Sequence, residues 1–186
     1  MKKASNTKKT VMVGTFSAIA FTLQMLGSFM GLKVGGFLEI EVSDLPALII
    51  SFAYGPVAGI LVEFFKNLLH CFFTSTGFVG EFANFVINGT FVGVAGLVYR
   101  FIKSFRGAIL SLIVATVALV VAGIFANLYI MLPLYMPNAP LSAKMNLVLA
   151  TILPFNAVRG ASLSVITMLI YKKISPILKF SGGQNE

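Results

Sequence analysis

The sequence predicts an all-α integral membrane protein with six transmembrane helices and a lid-like loop after the first. Three observations carry that prediction. Of 186 residues, 58% are apolar and only 11% charged, with a mean hydropathy of +0.94, whereas soluble domains carry about a quarter charged residues. Apolar runs close to spanning length, about 20 residues, recur between short connections. The basic residues behind the net charge of +8 cluster at the ends of those runs. They are not interleaved with aromatics on a polar patch, so they read as membrane orientation rather than a nucleic-acid surface. Six helices of about 20 residues leave no room for a soluble domain, so residues 1–186 form a single transmembrane domain.

The first span follows the basic MKKASNTKKT and continues through VMVGTFSAIAFTLQMLGSFMG to about Gly31. That length suits a retained helix rather than a cleaved leader. LKVGGFLEIEVSD then alternates apolar and polar from Phe37 to Val42, the period of a strand or extended loop, and residues 33–44 are expected to act as a lid. LPALIISFAYG is a second helix, short enough to imply tilt or partial crossing. Pro56 suits the first turn of a third, PVAGILVEFFKNLLHCFF. A fourth runs from Glu81 to Tyr99 and closes on the basic YRFIKSFR; a fifth runs from about Gly107 to Met131. Pro133, Pro137 and Pro140 then forbid a continuous helix and predict a shaped loop. The sixth runs from about Leu147 to Tyr171, leaving KKISPILKFSGGQNE as a tail with nothing to fold on its own.

Six spans put both termini on one side, together with Lys2, Lys3, Lys8, Lys9, Arg100, Lys103, Arg106, Lys172, Lys173 and Lys179. The excess of basic residues makes that side cytoplasmic. Tyr54, Tyr99 and Tyr171 are expected at the inner interface, Tyr129 and Tyr135 at the outer one.

Ionisable groups in a span cost about 2.5–3.5 kcal/mol each on insertion scales, so each asks for a partner, a wet cavity or a function. Glu63, Lys66 and Asn67 share one face of the third helix and read as a self-neutralising pair with an amide beside it. Glu81, Asn84 and Asn88 form a narrow stripe on the fourth, either for ligand contact or as interhelical glue. The fifth offers Asn127, and the sixth offers Asn156 and Arg159 one turn apart, below the backbone loosened by Pro154. Arg159 either pairs with Glu63 or Glu81 or aims a fork of donors into a cavity, beside amides that both donate and accept. Such a set suits a small, planar, polar-edged molecule.

No phosphate loop, zinc motif or nucleophile–base pair occurs, so no enzyme, metal site or bound cofactor is expected. The lone Cys71 reads as packing and the lone His70 as interfacial. Without an internal repeat of the kind secondary transporters carry, transport would need energy from elsewhere.

In order and spacing, VSDLPALIISFAYGPVAGILVEFFKNLLH, GEFANF, NLYIMLPLY and LPFNAVRG resemble the substrate-binding S components of energy-coupling factor (ECF) vitamin transporters, specifically the riboflavin type. The resemblance covers nearly the whole chain to Tyr171. It implies a multi-pass protein of a prokaryotic cell membrane that captures riboflavin from outside as transported substrate, while a transmembrane T component and two ATPases supply energy. It assigns Asn127 and Asn156 to the isoalloxazine edge. Arg159 stands where the family commonly has lysine, keeping the charge but changing the donor geometry. Gly14, Ser17 and Ala18 match, with glycine for one alanine, the small-residue pattern by which related S components dock the T component. The alternatives are an S component for another vitamin, or a membrane scaffold or signalling subunit whose polar residues only join helices.

Overall fold

The computed structural model describes residues 2–30, 33–34, 38–39, 42–74 and 78–182. Helix α1 spans Lys2–Met30, and a two-rung antiparallel pair follows, β1 (Lys33–Val34) with β2 (Leu38–Glu39), Lys33 opposite Glu39. Of the expected lid, these four residues and 42–44 are described; the remainder lies outside the described residues. The chain continues as α2 (Leu45–Tyr54), α3 (Pro56–His70), α4 (Val79–Phe101) and α5 (Phe105–Ala126). A π-helical turn at Asn127–Met131 leads from α5 into the short α6 (Leu132–Tyr135). After α7 (Leu141–Leu147), a second π-helical turn at Val148–Ile152 leads into α8 (Leu153–Gly182).

Local chemistry sets several boundaries. Between α2 and α3 the chain turns at Gly55, whose φ of 93° suits a residue without Cβ. Pro56 follows at the first turn of α3, where its missing N–H has no intrahelical partner to lose. At the start of α5, Ser104 Oγ accepts from Gly107 N at 3.0 Å, an N-cap.

Both π turns have the same cause. Each is followed by Leu-Pro, at 132–133 and 153–154. A proline ring in a helix clashes with the carbonyl four residues earlier, which here falls inside the π turn. Widening relieves the clash: Leu132 N reaches back to Asn127 O and Leu153 N to Val148 O, five residues each. The shaped loop expected from Pro133 is therefore corrected, since helical structure persists through Tyr135 and breaks only at Met136–Pro140. The last span likewise begins earlier than expected, at Leu141, and helical backbone continues through the tail to Gly182. Extending a formed helix adds one bond per residue fixed and needs no new nucleus.

Among the described residues four segments are long and apolar enough to cross a membrane: Thr7–Gly27, Val79–Phe101, Phe105–Tyr135 and Leu141–Tyr171. With 10 and 15 residues, α2 and α3 rise only about 15 and 22 Å. Helix α2 sits at the middle, against α1, α3, α4 and α8, with Ala47, Leu48 and Ile50 fully buried. Close approach to α4 depends on Gly96: a Cβ there would lie 1.9 Å from Ser51 Oγ and 3.1 Å from Pro56 Cα. Ser51 Oγ uses that proximity to donate to Val92 O at 2.8 Å.

The bundle has two unlike ends. Near the α2–α3 and α4–α5 turns, Phe52 stacks on Tyr99 with centroids 4.4 Å apart, Phe105 meets Tyr171 edge-on, and the two tyrosine hydroxyls lie 2.8 Å apart. Tyr99 and Tyr171 are buried, which corrects their expected interfacial role: each hydroxyl finds its partner in the other and needs no headgroup. Tyr129 and Tyr135 are exposed. The opposite half holds the polar residues.

Candidate binding site

Asn127 and Asn156 converge on a single glycine. Asn127 opens the first π turn and donates from Nδ2 to Gly123 O at 2.8 Å. Asn156 lies on α8, which packs against α5, and its amide is seated over Gly123: a Cβ at that position would fall 2.7 Å from Asn156 Nδ2. Asn156 Nδ2 itself donates to Ile152 O at 2.9 Å, the last carbonyl of the second π turn. Both amides are buried, and each spends one N–H on a carbonyl four residues earlier. Among the described residues, no further partner takes the amide oxygen or the second N–H of either. Gly123 is the residue that inspection of polar side chains misses; its only sequence signal is a small residue one turn before Asn127.

Arg159 has a hydrogen-bond partner beyond the two acids expected for it. Its Nη2 donates to Asp44 Oδ2 at 2.9 Å. Asp44 lies just before α2 and, being adjacent to the loop rather than within a span, escapes a search confined to ionisable residues in helices. The other carboxylate oxygen, Oδ1, accepts from Lys66 Nζ at 2.6 Å, and Lys66 also lies 2.7 Å from Glu63 Oε2 and 3.3 Å from Ser43 Oγ. The pairing of Glu63 with Lys66 expected on α3 is present, enlarged by Asp44 and Arg159 into a set of two acids and two cations. Asp44, Glu63 and Lys66 are fully buried. Asn67 Nδ2 donates to Glu63 O at 2.8 Å, while Asn67 Oδ1 and Glu63 Oε1 are buried without a hydrogen-bond partner among the described residues.

On α4, Glu81, Asn84 and Asn88 share the inward stripe. Glu81 Oε1 lies 3.1 Å from His70 Nδ1, so His70 ties α3 to α4 instead of sitting at an interface. Asn88, fully buried, donates to Asn84 Oδ1, and its own Oδ1 has no partner among the described residues. Cys71 lies in the turn that follows α3 and is only partly buried. Among the described residues no three His, Cys, Asp or Glu side chains gather as metal ligands.

Gly14 and Ala18 lie on the exposed side of α1, and nothing stands within 4 Å of where a Cβ on Gly14 would be. Ser17 turns inward and donates to Val13 O at 2.7 Å. It does not share their face.

Residues 8–171 match the family described as ECF transporter, substrate-specific component. The chain belongs to that family. It is 33% identical over 176 residues to the riboflavin transporter RibU of Staphylococcus aureus, covering 92% of this chain and 93% of that protein. It is 35% identical over 178 residues to the riboflavin transporter FmnP of Bacillus subtilis, covering 91% and 93%. A solved S component of a bacterial ECF transporter superposes with a TM-score of 0.79 at 31% identity, over 94% of this chain and 99% of that one. This S component therefore shares its fold with a solved relative over almost its full length.

Lys66 is the cation common to both acids, so Lys66→Met is expected to destabilise the protein by about 3–5 kcal/mol, the cost of leaving buried charge uncompensated. Lys66→Met combined with Glu63→Gln restores neutrality and should recover much of the loss. Thermal unfolding in detergent checks both; equal stability of the single and double variants would show that charge balance is not what Lys66 provides.

Proposed function

We propose that this S component captures riboflavin from outside a prokaryotic cell, as a six-span protein with both termini cytoplasmic and with residues 33–44 as lid. The observation that carries the reading is the convergence of Asn127 and Asn156 on Gly123 at two proline-induced π turns. Each amide has a donor and an acceptor to spare, which suits the alternating carbonyls and ring nitrogens of a flavin edge. Both curated relatives described above are named riboflavin transporters, which supports the same ligand. Arg159 would add a directed donor one turn away, and Asn84, Asn88 and Glu81 would line the α4 side. The polar half of the bundle is the end reached by the α1–α2 connection, which supports an outward opening. Exposed Lys8 and, at the far ends of α4 and α5, exposed Arg100, Lys103 and Arg106 support the inward assignment of the other end. The chain would perform no chemistry and hold no cofactor; a T component and two ATPases would drive release.

The deciding experiment is titration of the purified chain with riboflavin and a panel of other vitamins, read by quenching of flavin fluorescence or by calorimetry. Tighter binding of another vitamin, or of none, would overturn the reading. Asn127→Ala and Asn156→Ala should each weaken riboflavin binding by about 1–3 kcal/mol, the cost of an unsatisfied buried partner. Gly123→Ala should approach the Asn156→Ala loss, because its Cβ displaces that amide. Unchanged affinity in all three folded variants would move the site elsewhere.

For the lid, single cysteines placed at 33–42, short of the buried Ser43 and Asp44, in a Cys71→Ser background should lose reactivity toward an impermeant thiol reagent when riboflavin is added. Equal labelling with and without vitamin would count against a lid.

Gly14 and Ala18, exposed on one side of α1, form the proposed face for the T component, with Ser17 behind it. Gly14→Leu and Ala18→Leu should leave riboflavin binding by the isolated chain intact while abolishing ATP-dependent uptake by the full complex. Normal uptake by either variant would refute the docking face.

A further inference from the structure

Asp44 enters the reading above only as the last residue of the proposed lid segment, yet it holds a residue placed in the site. Its side chain is fully buried, and each oxygen has a separate cation: Lys66 on Oδ1 at 2.6 Å and Arg159 on Oδ2 at 2.9 Å. One carboxylate thus joins the start of α2 to α3 and α8, at the point where the α1–α2 connection enters the bundle. Arg159 is one turn from Asn156, whose amide is fixed against Gly123. A long side chain at that position has many rotamers, and a bond to one edge of the guanidinium selects among them. It also cancels charge. With Glu63 against Lys66, the formal charges of two acids and two cations balance, and Asp44 stands directly against Arg159, so a molecule beside Arg159 meets oriented N–H groups rather than a bare cation.

We propose that Asp44 is a positioning residue for ligand capture, holding the Arg159 guanidinium at the level of Asn156 and neutralising it so that the site takes an uncharged polar edge. This rests on the reading that Arg159 faces the flavin. The flavin ring carries a weakly acidic N–H between two carbonyls, and a bare cation nearby would favour loss of that proton. Asp44 suppresses the effect, keeping the ring neutral and its N–H available as a donor. The role differs from holding the helices together: Lys66 keeps Glu63 and Ser43 without it, whereas Asp44 Oδ2 aims Arg159 Nη2 and sets a negative charge directly against it.

The test uses the full chain as wild type, Asp44→Asn, Arg159→Gln and the double variant, each titrated with riboflavin. Asp44→Asn and Arg159→Gln are each expected to weaken binding by about tenfold, the scale of one charge-assisted hydrogen bond. The double variant should bind about as well as the weaker single, because Asp44 acts through Arg159. An absorbance titration of the bound flavin supplies a readout that helix packing does not move. Ionisation of the ring N–H should shift to lower pH by about 1 in Asp44→Asn and return to the wild-type value in the double. Losses that multiply in the double, together with ring ionisation unchanged in Asp44→Asn, would overturn the proposal. If Asp44→Asn is not recovered folded, Asp44→Glu replaces it: the charge stays while the carboxylate moves by a methylene. Weakened binding with unmoved ring ionisation, and no further loss in the Arg159→Gln background, supports the role; wild-type affinity overturns it. A wild-type chain that binds no riboflavin refutes the functional reading itself. Riboflavin binding that survives Arg159→Gln undiminished refutes only the role of Asp44.

Discussion

The Asp44 carboxylate is the constraint around which this bundle is organised. Stripping water from an ion costs several kcal/mol, repaid only by close, well-aimed opposite charge. Asp44 meets that condition with cations from two elements far away in sequence, and Glu63 balances the second positive charge. Once the carboxylate is fixed, so is the start of α2. That ten-residue helix rises only about 15 Å, so anchoring one end inside the bundle places its apolar face, Ala47, Leu48 and Ile50, in contact with α1, α3, α4 and α8. The absence of side chains at Gly96 then lets α4 close over Ser51 and the α2–α3 turn. The polar set and the apolar centre are two consequences of one anchored helix.

A division of the bundle into a polar half and an aromatic half follows from what each half must satisfy. The aromatic end uses rings that pack on one another and two tyrosine hydroxyls that bond each other, and among the described residues these rings hold none of the buried polar atoms left without a partner. The polar end retains acceptors without partners at Glu63, Asn67 and Asn88 among the described residues, together with the spare valences of Asn127 and Asn156. Buried polar groups are normally satisfied. Their concentration in one half marks the part of the fold built around something other than its own stability.

How much of this was legible in the sequence depended on whether the signal was local. Apolar runs and clustered lysines and arginines gave the long helices and their order, because hydropathy and charge act over a single segment. Asn127, Asn156 and the Glu63–Lys66 pair were visible as polar residues at helical spacing. The partner of Arg159 was not, because 115 residues separate it from Asp44 and no periodicity links an aspartate in a loop to an arginine in a distant helix. Gly123 was invisible for the opposite reason: its contribution is the space left by a missing side chain. The prolines misled at 133, where they indicated a break in the helix and the chain instead widened it into a π turn, a local remedy that keeps a helix continuous.

That remedy connects the fold to the site. A regular helix satisfies its own carbonyls and points successive side chains 100° apart; a π turn changes the register, so residues on either side of it no longer follow the same stripe. In α5 the turn begins at Asn127, and in the last span it ends four residues before Asn156. Each asparagine then uses one N–H to bond a carbonyl near the widened turn, at Gly123 and Ile152. Those bonds tether both amides, so binding a ligand would cost less side-chain freedom than ordering two loose amides. Arg159 is tethered in the same way through Asp44. The two amides, held by backbone irregularity rather than by each other, keep their remaining valences directed among the described residues. On the functional reading, that allows one flat, polar-edged molecule to be gripped without any energy-driven step by this chain, while the exposed Gly14 and Ala18 on α1 remain a separate surface for the subunits that supply the energy.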